Sequence, residues 1–304
     1  MPLRFPLTAL ACVLAVSSSG FAADAVADRI GSLTKGFTGS VAVYAKNLQT
    51  GREVAIQADR KVRTASTIKL PILCALESLV ATGAVRWDER LVVRAVDKVS
   101  GSGVLHELAD GTALTVRDVA TLMIVVSDNT ATNLILDRVT ADAVNGYLDT
   151  IGLPVTRSLR KIRGDGTALA AASGWSRAGR DPANERYGIG VSTPREMVRL
   201  LERLHKGEVV SAAASQDVLA TLERQQFKDG IGRRASPLRV ASKSGSLDSL
   251  RSDVGIVYTP GGPIAMAITV DEMPAIDDSP DNAGNELIWS ISQVIQSALG
   301  AASR

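Results

Sequence analysis

The chain is short of the residues that most often carry metal and redox chemistry. It has 304 residues, with two histidines, His106 and His205, and two cysteines, Cys12 and Cys74. A zinc site of the usual ligand set would need nearly all four, and so would a disulfide framework. The histidines stand far apart in sequence, which disfavours a Ser-His-Asp triad without excluding it. Charge of one sign is also lacking. Lys plus Arg number 34 against 32 for Asp plus Glu, a formal net charge of +2. No large one-signed field exists to hold a nucleic-acid backbone or an anionic membrane surface, so the expected partner is a small molecule and not nucleic acid. Hydrophobic residues at 45% and charged residues at 22% are ordinary globular values, enough for a sizeable core in one large domain or two smaller ones.

The one strongly apolar run lies near the N-terminus. Arg4 precedes Leu7 to Val16, and small residues follow from Ser17 to Ala23. A charged start, an apolar stretch too short to span a bilayer and a small-x-small site read as a secretory signal over residues 1–22, cut after Ala22 or, alternatively, after Ala25. Cys12 sits inside the apolar stretch, with Ala9 where a lipoprotein signal needs a large aliphatic, so no stable membrane anchor is expected. The expected product is an exported, periplasmic, monomeric protein. Cys74, its single cysteine, lies among Leu70, Ile72, Leu73 and Leu76 and reads as a buried apolar side chain.

Along the rest of the chain, Ser40 to Ala45 and Arg52 to Gln57 predict a β-hairpin closed around Gln49-Thr50-Gly51. Residues 66–80 turn helical. Thr115-Val116-Arg117-Asp118 is a variant capping box opening a helix that runs to a polar break at Ser127-Asp128-Asn129-Thr130. Helices are predicted over 131–139 and 141–151, and another opens at Thr193-Pro194-Arg195-Glu196 and ends at Gly207. Leu238 to Ser242, Asp253 to Tyr258 and Ile264 to Val270 read as strands, the last two joined at Pro260-Gly261-Gly262-Pro263, and a helix over 285–299 closes the chain. Strands at both ends with helices between them predict an α/β fold: an antiparallel sheet built from both chain termini, flanked by helices, with an inserted all-α domain. The expected boundaries are 23–63 and 194–304 for the sheet domain and 64–193 for the insertion, which includes a long loop over 156–192. A cleft is expected between the two lobes.

Three short motifs carry chemistry. In Ser66-Thr67-Ile68-Lys69, at a predicted helix start, residues three apart share a face and lie about 4.5 Å apart along the axis, so the amine can approach the hydroxyl. A chain poor in histidine can use lysine as the base for serine. The Ser66 N–H at a helix start suits an oxyanion. Ser-x-x-Lys also arises by chance from a capping serine and a solvated lysine. Ser127-Asp128-Asn129 presents a hydroxyl and an amide at a break, and equally fits a capping turn. Lys243-Ser244-Gly245 reads as a strand end where glycine admits another backbone or a ligand, or simply as a solvated terminus.

Taken together and in this order, the three motifs resemble the Ser-x-x-Lys, Ser-Asp-Asn and Lys-Thr-Gly signature of class A β-lactamases and penicillin-binding proteins, with serine for threonine in the third. Gly101-Ser102-Gly103-Val104-Leu105, Asn129 to Asn133 and Ser192-Thr193-Pro194 extend the likeness over nearly the whole chain beyond the signal. The resemblance implies that Ser66 is acylated, that Lys69 shares in its proton transfer, and that Ser127 passes a proton to the leaving nitrogen. It implies that Asn129 holds Lys69 and the substrate amide, that Lys243 and Ser244 (with Gly245 beside them) bind the substrate carboxylate, and that the N–H groups of Ser66 and Ser246 form an oxyanion hole. Arg251 resembles an arginine that reinforces carboxylate binding; an exposed strand-end charge is the alternative.

One departure stands out. Class A enzymes carry Glu-x-x-Leu-Asn in the loop after the helical block, and its glutamate activates the deacylating water. The corresponding stretch from Thr156 to Gly166 lacks that motif. Asp165 is the nearest carboxylate, as base or as partner of its basic neighbours, with Asp181 and Glu185 further on. The expectation is a cofactor-free, metal-free serine hydrolase opening β-lactam rings through an acyl-enzyme on Ser66. The alternatives are a peptidase or esterase acting on peptidoglycan-like peptides and held as a long-lived adduct by β-lactams, or a non-catalytic binding protein on the same fold.

Overall fold

A computed structural model describes residues 18–163 and 174–301. Helix α1 (Ser18–Thr34) leads into strands β1 (Ser40–Asn47), β2 (Glu53–Ile56) and β3 (Val62–Arg63), and then a 3₁₀ turn (Ala65–Ile68) runs into α2 (Lys69–Ala81). Strands β4 (Arg90–Val92) and β5 (Ala113–Thr115) precede α3 (Val116–Val125), α4 (Asn129–Val139) and α5 (Ala141–Thr150). After β6 (Arg157–Ser158) and β7 (Gly190–Ser192) come α6 (Pro194–His205), α7 (Ala212–Glu223), β8 (Val240–Leu247), β9 (Leu250–Thr259), β10 (Gly262–Asp271) and α8 (Ala283–Leu299).

The main sheet has five strands in the order β2-β1-β10-β9-β8, antiparallel where pairs are described. N-terminal and C-terminal strands meet at β1 and β10, where Val43 faces Ile268. β1 shows no clean alternation because both sheet faces are covered. On one face α1 and α8 pack through Val26, Ile30, Leu287, Ile291 and Ile295 onto Val43, Val257, Ile264 and Ile268. On the other, Ala241, Val254, Ile256, Ala265 and Ala267 join a cluster that passes through α6 into α2, α3, α4, α5 and α7. Helix α6 is the connector because Met197, Val198, Leu201 and Leu204 fall on one stripe, with Arg199, Glu202 and Arg203 outside it. Each fully buried leucine there contributes about 1.5–3 kcal/mol. Helix α2 is buried all round, from Lys69 to Glu77, which suits a central helix and explains its weak sidedness.

The Thr115 box forms as expected: Thr115 Oγ1 accepts from Asp118 N at 3.1 Å and Asp118 Oδ2 accepts from Thr115 N at 3.2 Å. Three expectations change. Helix α2 begins at Lys69, and Ser66 lies in the 3₁₀ turn before it. Lys243-Ser244-Gly245 is the middle of β8, since pairing with β9 continues to Leu247 opposite Leu250 and closes in a two-residue turn. Helix α7 is additional; Ser211 caps it by accepting from Ala214 N at 3.1 Å, a start signal hidden by the alanines that follow.

Candidate active site

Ser66, Ser127 and Ser244 come together in a cleft of about 710 Å³ that Gly101, Asn129, Ile162 and Ser246 also line. Its floor is set by backbone devices. Ala65, just before the serine, has φ +44°, so the chain turns sharply into the 3₁₀ segment. Gly245 lets β8 pass against that turn: a Cβ there would lie 2.8 Å from Ser66 N and 2.8 Å from Thr64 O. The glycine is required by close approach of two backbones, and it brings β8 beside the Ser66 N–H.

Ser127 is held with φ +54°, a conformation that costs about 1–2 kcal/mol for a residue with a side chain. Its neighbour offsets that. The fully buried Asp128 carboxylate accepts from Val104 N at 2.6 Å, Leu105 N at 2.8 Å and Ala131 N at 2.8 Å. It thereby caps α4 and pins the 101–105 segment, and Gly103 is needed because a Cβ there would lie 2.3 Å from the carboxylate. Asn129 N donates to Ser102 O at 3.0 Å and Asn129 Nδ2 to Ser100 O at 3.0 Å, which fixes the amide at the cleft wall. The capping role of Ser127-Asp128-Asn129 and its place in the cleft are therefore both real.

Two lysines reach this wall from opposite elements. Lys69 Nζ donates to Ser127 O at 2.7 Å, Ser127 Oγ at 3.1 Å and Asn129 Oδ1 at 2.9 Å. Lys243 Nζ lies 3.1 Å from Ser127 Oγ and donates to Ser244 O at 2.7 Å. Both lysines are fully buried. Burial, then the charge of Lys243, hold Lys69 well below the usual lysine range, with Asp128 opposing. Burial lowers Lys243 to about 7, and the buried Asp253 carboxylate opposes that shift. The lowered Lys69 amine gives up its proton more readily than an ordinary lysine and suits a proton-transfer role, and Lys243, when protonated, is placed to hold an anion.

Sequence reasoning missed three contributors. Gln225 lies against the free edge of β8; with its oxygen toward the strand it accepts from Ser244 N at 2.8 Å while its nitrogen donates to Ile124 O at 3.2 Å. Asn133 exchanges two hydrogen bonds with Ile162, at 2.9 and 2.8 Å, and so brings the start of the long loop to the cleft. Its presence next to the Ser-Asp-Asn motif was the only available signal. Asp253 is buried directly across from Ser244 in the β8–β9 register, a pairing invisible before the hairpin is known.

Arg251 is not an exposed strand-end charge. It is buried, lines the cleft, and donates to Leu247 O at 2.5 Å, Leu250 O at 2.8 Å, Asp277 O and Asp278 Oδ1 at 3.2 Å. Asp165 lies outside the described residues. Asp181 caps a 3₁₀ turn by accepting from Ala183 N at 3.0 Å, Glu185 is in that turn, and neither lines the cleft. Neither histidine does so, which leaves the triad alternative without a base. Cys74 is fully buried and its thiol is pushed up by burial, so it is inert.

Residues 25–299 match the sequence pattern of the Beta-lactamase enzyme family. The chain belongs to that family. It is 28% identical to Beta-lactamase L2 of Stenotrophomonas maltophilia over 275 residues, covering 88% of this chain and 84% of the relative. A crystal structure of a β-lactamase from Sphaerobacter thermophilus superposes with a TM-score of 0.77 at 31% identity, covering 90% of this chain and 97% of that one. A mutant of PBP-A, solved as an acyl-enzyme complex with penicillin G, gives 0.75 at 26% identity over 90% and 96% of the two chains. The protein is thus a class A β-lactamase-like serine hydrolase, with the mixed α/β fold of those enzymes.

Proposed function

We propose that this β-lactamase-family protein opens β-lactam rings by acylation of Ser66, with Lys69, Ser127 and Lys243 moving protons and holding the substrate. The observation that carries the reading is the single hydroxyl, Ser127 Oγ, set 3.1 Å from each of two buried lysine amines. In its unprotonated form, favoured by burial, Lys69 takes the Ser66 proton as Oγ attacks the lactam carbonyl. The oxyanion forms beside the Ser66 and Ser246 N–H groups, where Gly245 keeps the two backbones in contact. When the C–N bond breaks, Ser127 gives its proton to the leaving nitrogen and is resupplied from protonated Lys69. Lys243 and Ser244 hold the carboxylate common to these substrates, and Asn129 orients Lys69 and the side-chain amide. Arg251 steadies the β8–β9 turn that frames this end of the cleft.

Hydrolysis of the acyl-enzyme needs a base for water. We assign it to Asp165, because the chain enters the loop at Ile162, which Asn133 tethers at the cleft. A second reading has support from the missing glutamate motif: a long-lived adduct, with a cell-wall peptide as the natural substrate. A chromogenic cephalosporin followed by product release and intact mass decides. Sustained turnover lost in Ser66→Ala supports the β-lactamase reading, a persistent adduct supports the peptidase reading, and neither adduct nor turnover rejects both. In Asp165→Asn, acyl-enzyme should accumulate; unchanged turnover rejects that assignment.

We also propose that residues 1–22 direct export to the periplasm, and that the product is an unanchored monomer. A cut after Ala22 leaves Val26 and Ile30, the buried residues of α1, in the chain. N-terminal sequencing of the exported protein should begin at Ala23.

A further inference from the structure

Ser127 and Lys243 touch, yet the backbone does not join the elements that carry them. Ser127 follows α3 and Lys243 stands in β8, and among the described residues no backbone hydrogen bond links α3 or Ser127 to that strand. β8 is an edge of the main sheet, paired with β9 on one side, so the polar groups along its other side need partners from elsewhere. The last carbonyls of α3 have the same need. Leu122 O accepts from Asp128 N at 3.0 Å and Val125 O accepts from Gln226 N at 3.0 Å.

One side chain serves both elements. Gln225, 2% exposed, donates from its amide nitrogen to Ile124 O at 3.2 Å and accepts at its amide oxygen from Ser244 N at 2.8 Å. Turned the other way, the amide would set oxygen against oxygen and nitrogen against nitrogen, so the bridge has one sense. Its own backbone is fixed, since Gln225 N donates to Leu222 O at 3.1 Å at the end of α7. Ile124 stands just before the turn to Ser127, and Ser244 directly follows Lys243. Gln225 itself stands behind the cleft wall and is not among its lining residues.

Resting on the β-lactam reading above, we propose that Gln225 is a positioning residue: by tying the end of α3 to the edge of β8 it sets the 3.1 Å contact between Ser127 Oγ and Lys243 Nζ, and with it the selectivity for substrates that carry a free carboxylate. Without the bridge, Ile124 O and Ser244 N are buried unpaired and β8 can shift against α3. The Lys243 amine then leaves both Ser127 and the place where the carboxylate is held.

The test compares a cephalosporin with its methyl ester, as the ratio of their kcat/KM values below the Lys243 titration. Gln225→Met keeps the length of the side chain without its donor and acceptor, and the ratio should fall about tenfold. A variant that melts earlier but keeps the wild-type ratio makes Gln225 merely structural and overturns the proposal. If Gln225→Met fails to fold, Gln225→Glu decides. Protonated, its carboxyl donates to Ile124 O and accepts from Ser244 N as the amide does; ionised, it has no hydrogen to donate. The ratio should stay within about threefold of wild type while that carboxyl is protonated and fall further as it ionises, and a ratio indifferent to its ionisation overturns the proposal. If neither compound acylates Ser66, the β-lactam reading fails by itself. The bridge is then read by NMR titration of ¹³Cε-labelled lysines: the Lys69 midpoint should rise in Gln225→Met, because the Lys243 charge that lowers it has moved away, and an unmoved midpoint overturns the proposal.

Discussion

Lys69 and Lys243 meet on one atom: each brings its Nζ to 3.1 Å from Ser127 Oγ. Two ammonium groups sharing a buried hydroxyl repel each other and both lack water, so the lowest-energy arrangement leaves one of them neutral. Burial, then the charge of Lys243, lower Lys69, which suits it to the role of base.

The pH profile follows with a definite sign. As pH falls through the lowered pKa of Lys69, the base is protonated and kcat/KM falls. As pH rises through about 7, Lys243 loses its charge and KM rises for substrates with a free carboxylate. Profiles measured with a cephalosporin and its methyl ester should share the acid limb and differ on the alkaline one. In Lys243→Ala the acid limb should move to higher pH, because a charge that lowers Lys69 is gone. An unmoved limb would show that the two amines are not coupled.

Gly245→Ala sets a methyl group against Ser66 N and Thr64 O, both backbone atoms that cannot rotate away. The expected result is a fall in kcat of about a hundredfold with a stability loss of about 1–3 kcal/mol. Thermal melts and steady-state kinetics of the one variant check both parts.

Away from the cleft, Glu77 on α2 is 5% exposed and its Oε1 has no hydrogen-bond partner. Burial, then the nearby Asp217, push its carboxyl up to about 7, with Arg117 opposing. Between the ordinary glutamate range and about 7 the folded chain keeps a proton that the unfolded chain has released, so stability falls as pH rises through that window. Glu77→Gln should flatten this slope and add on the order of 1–2 kcal/mol at pH 8. Urea melts at pH 5 and pH 8 would show it.

Asn133→Ala removes both bonds to Ile162. The loss should be about 2 kcal/mol, with faster tryptic cleavage between Arg160 and Arg163 and slower deacylation than acylation. If stability falls and the two chemical steps change equally, the tether has no special part in placing the water.

Much of this arrangement was legible in the sequence. Thr115, Thr193 and the Pro260–Pro263 turn marked their elements because capping and turn chemistry are local. Ser66, Lys69, Ser127, Asn129 and Lys243 were named through the resemblance carried by the three motifs together, since each motif alone also fits an ordinary cap or strand end. What failed to show was set by pairing across the chain. Asp253 acquires meaning only opposite Ser244, and Arg251 only when the β8–β9 turn and the segment at Asp277 close around it. Helix α7 was masked because its alanines carry little periodic signal.

The contacts at Ser127 Oγ join positions 58 and 116 residues apart in the chain. β8 is tied to the N-terminal strand through β9 and β10, so the site needs both ends of the sheet as well as the helical block. Reactivity at Ser66 is therefore a late event in refolding and a sensitive one. A partly assembled chain keeps its serine silent, and regain of acylation after dilution from denaturant should trail the recovery of helical signal.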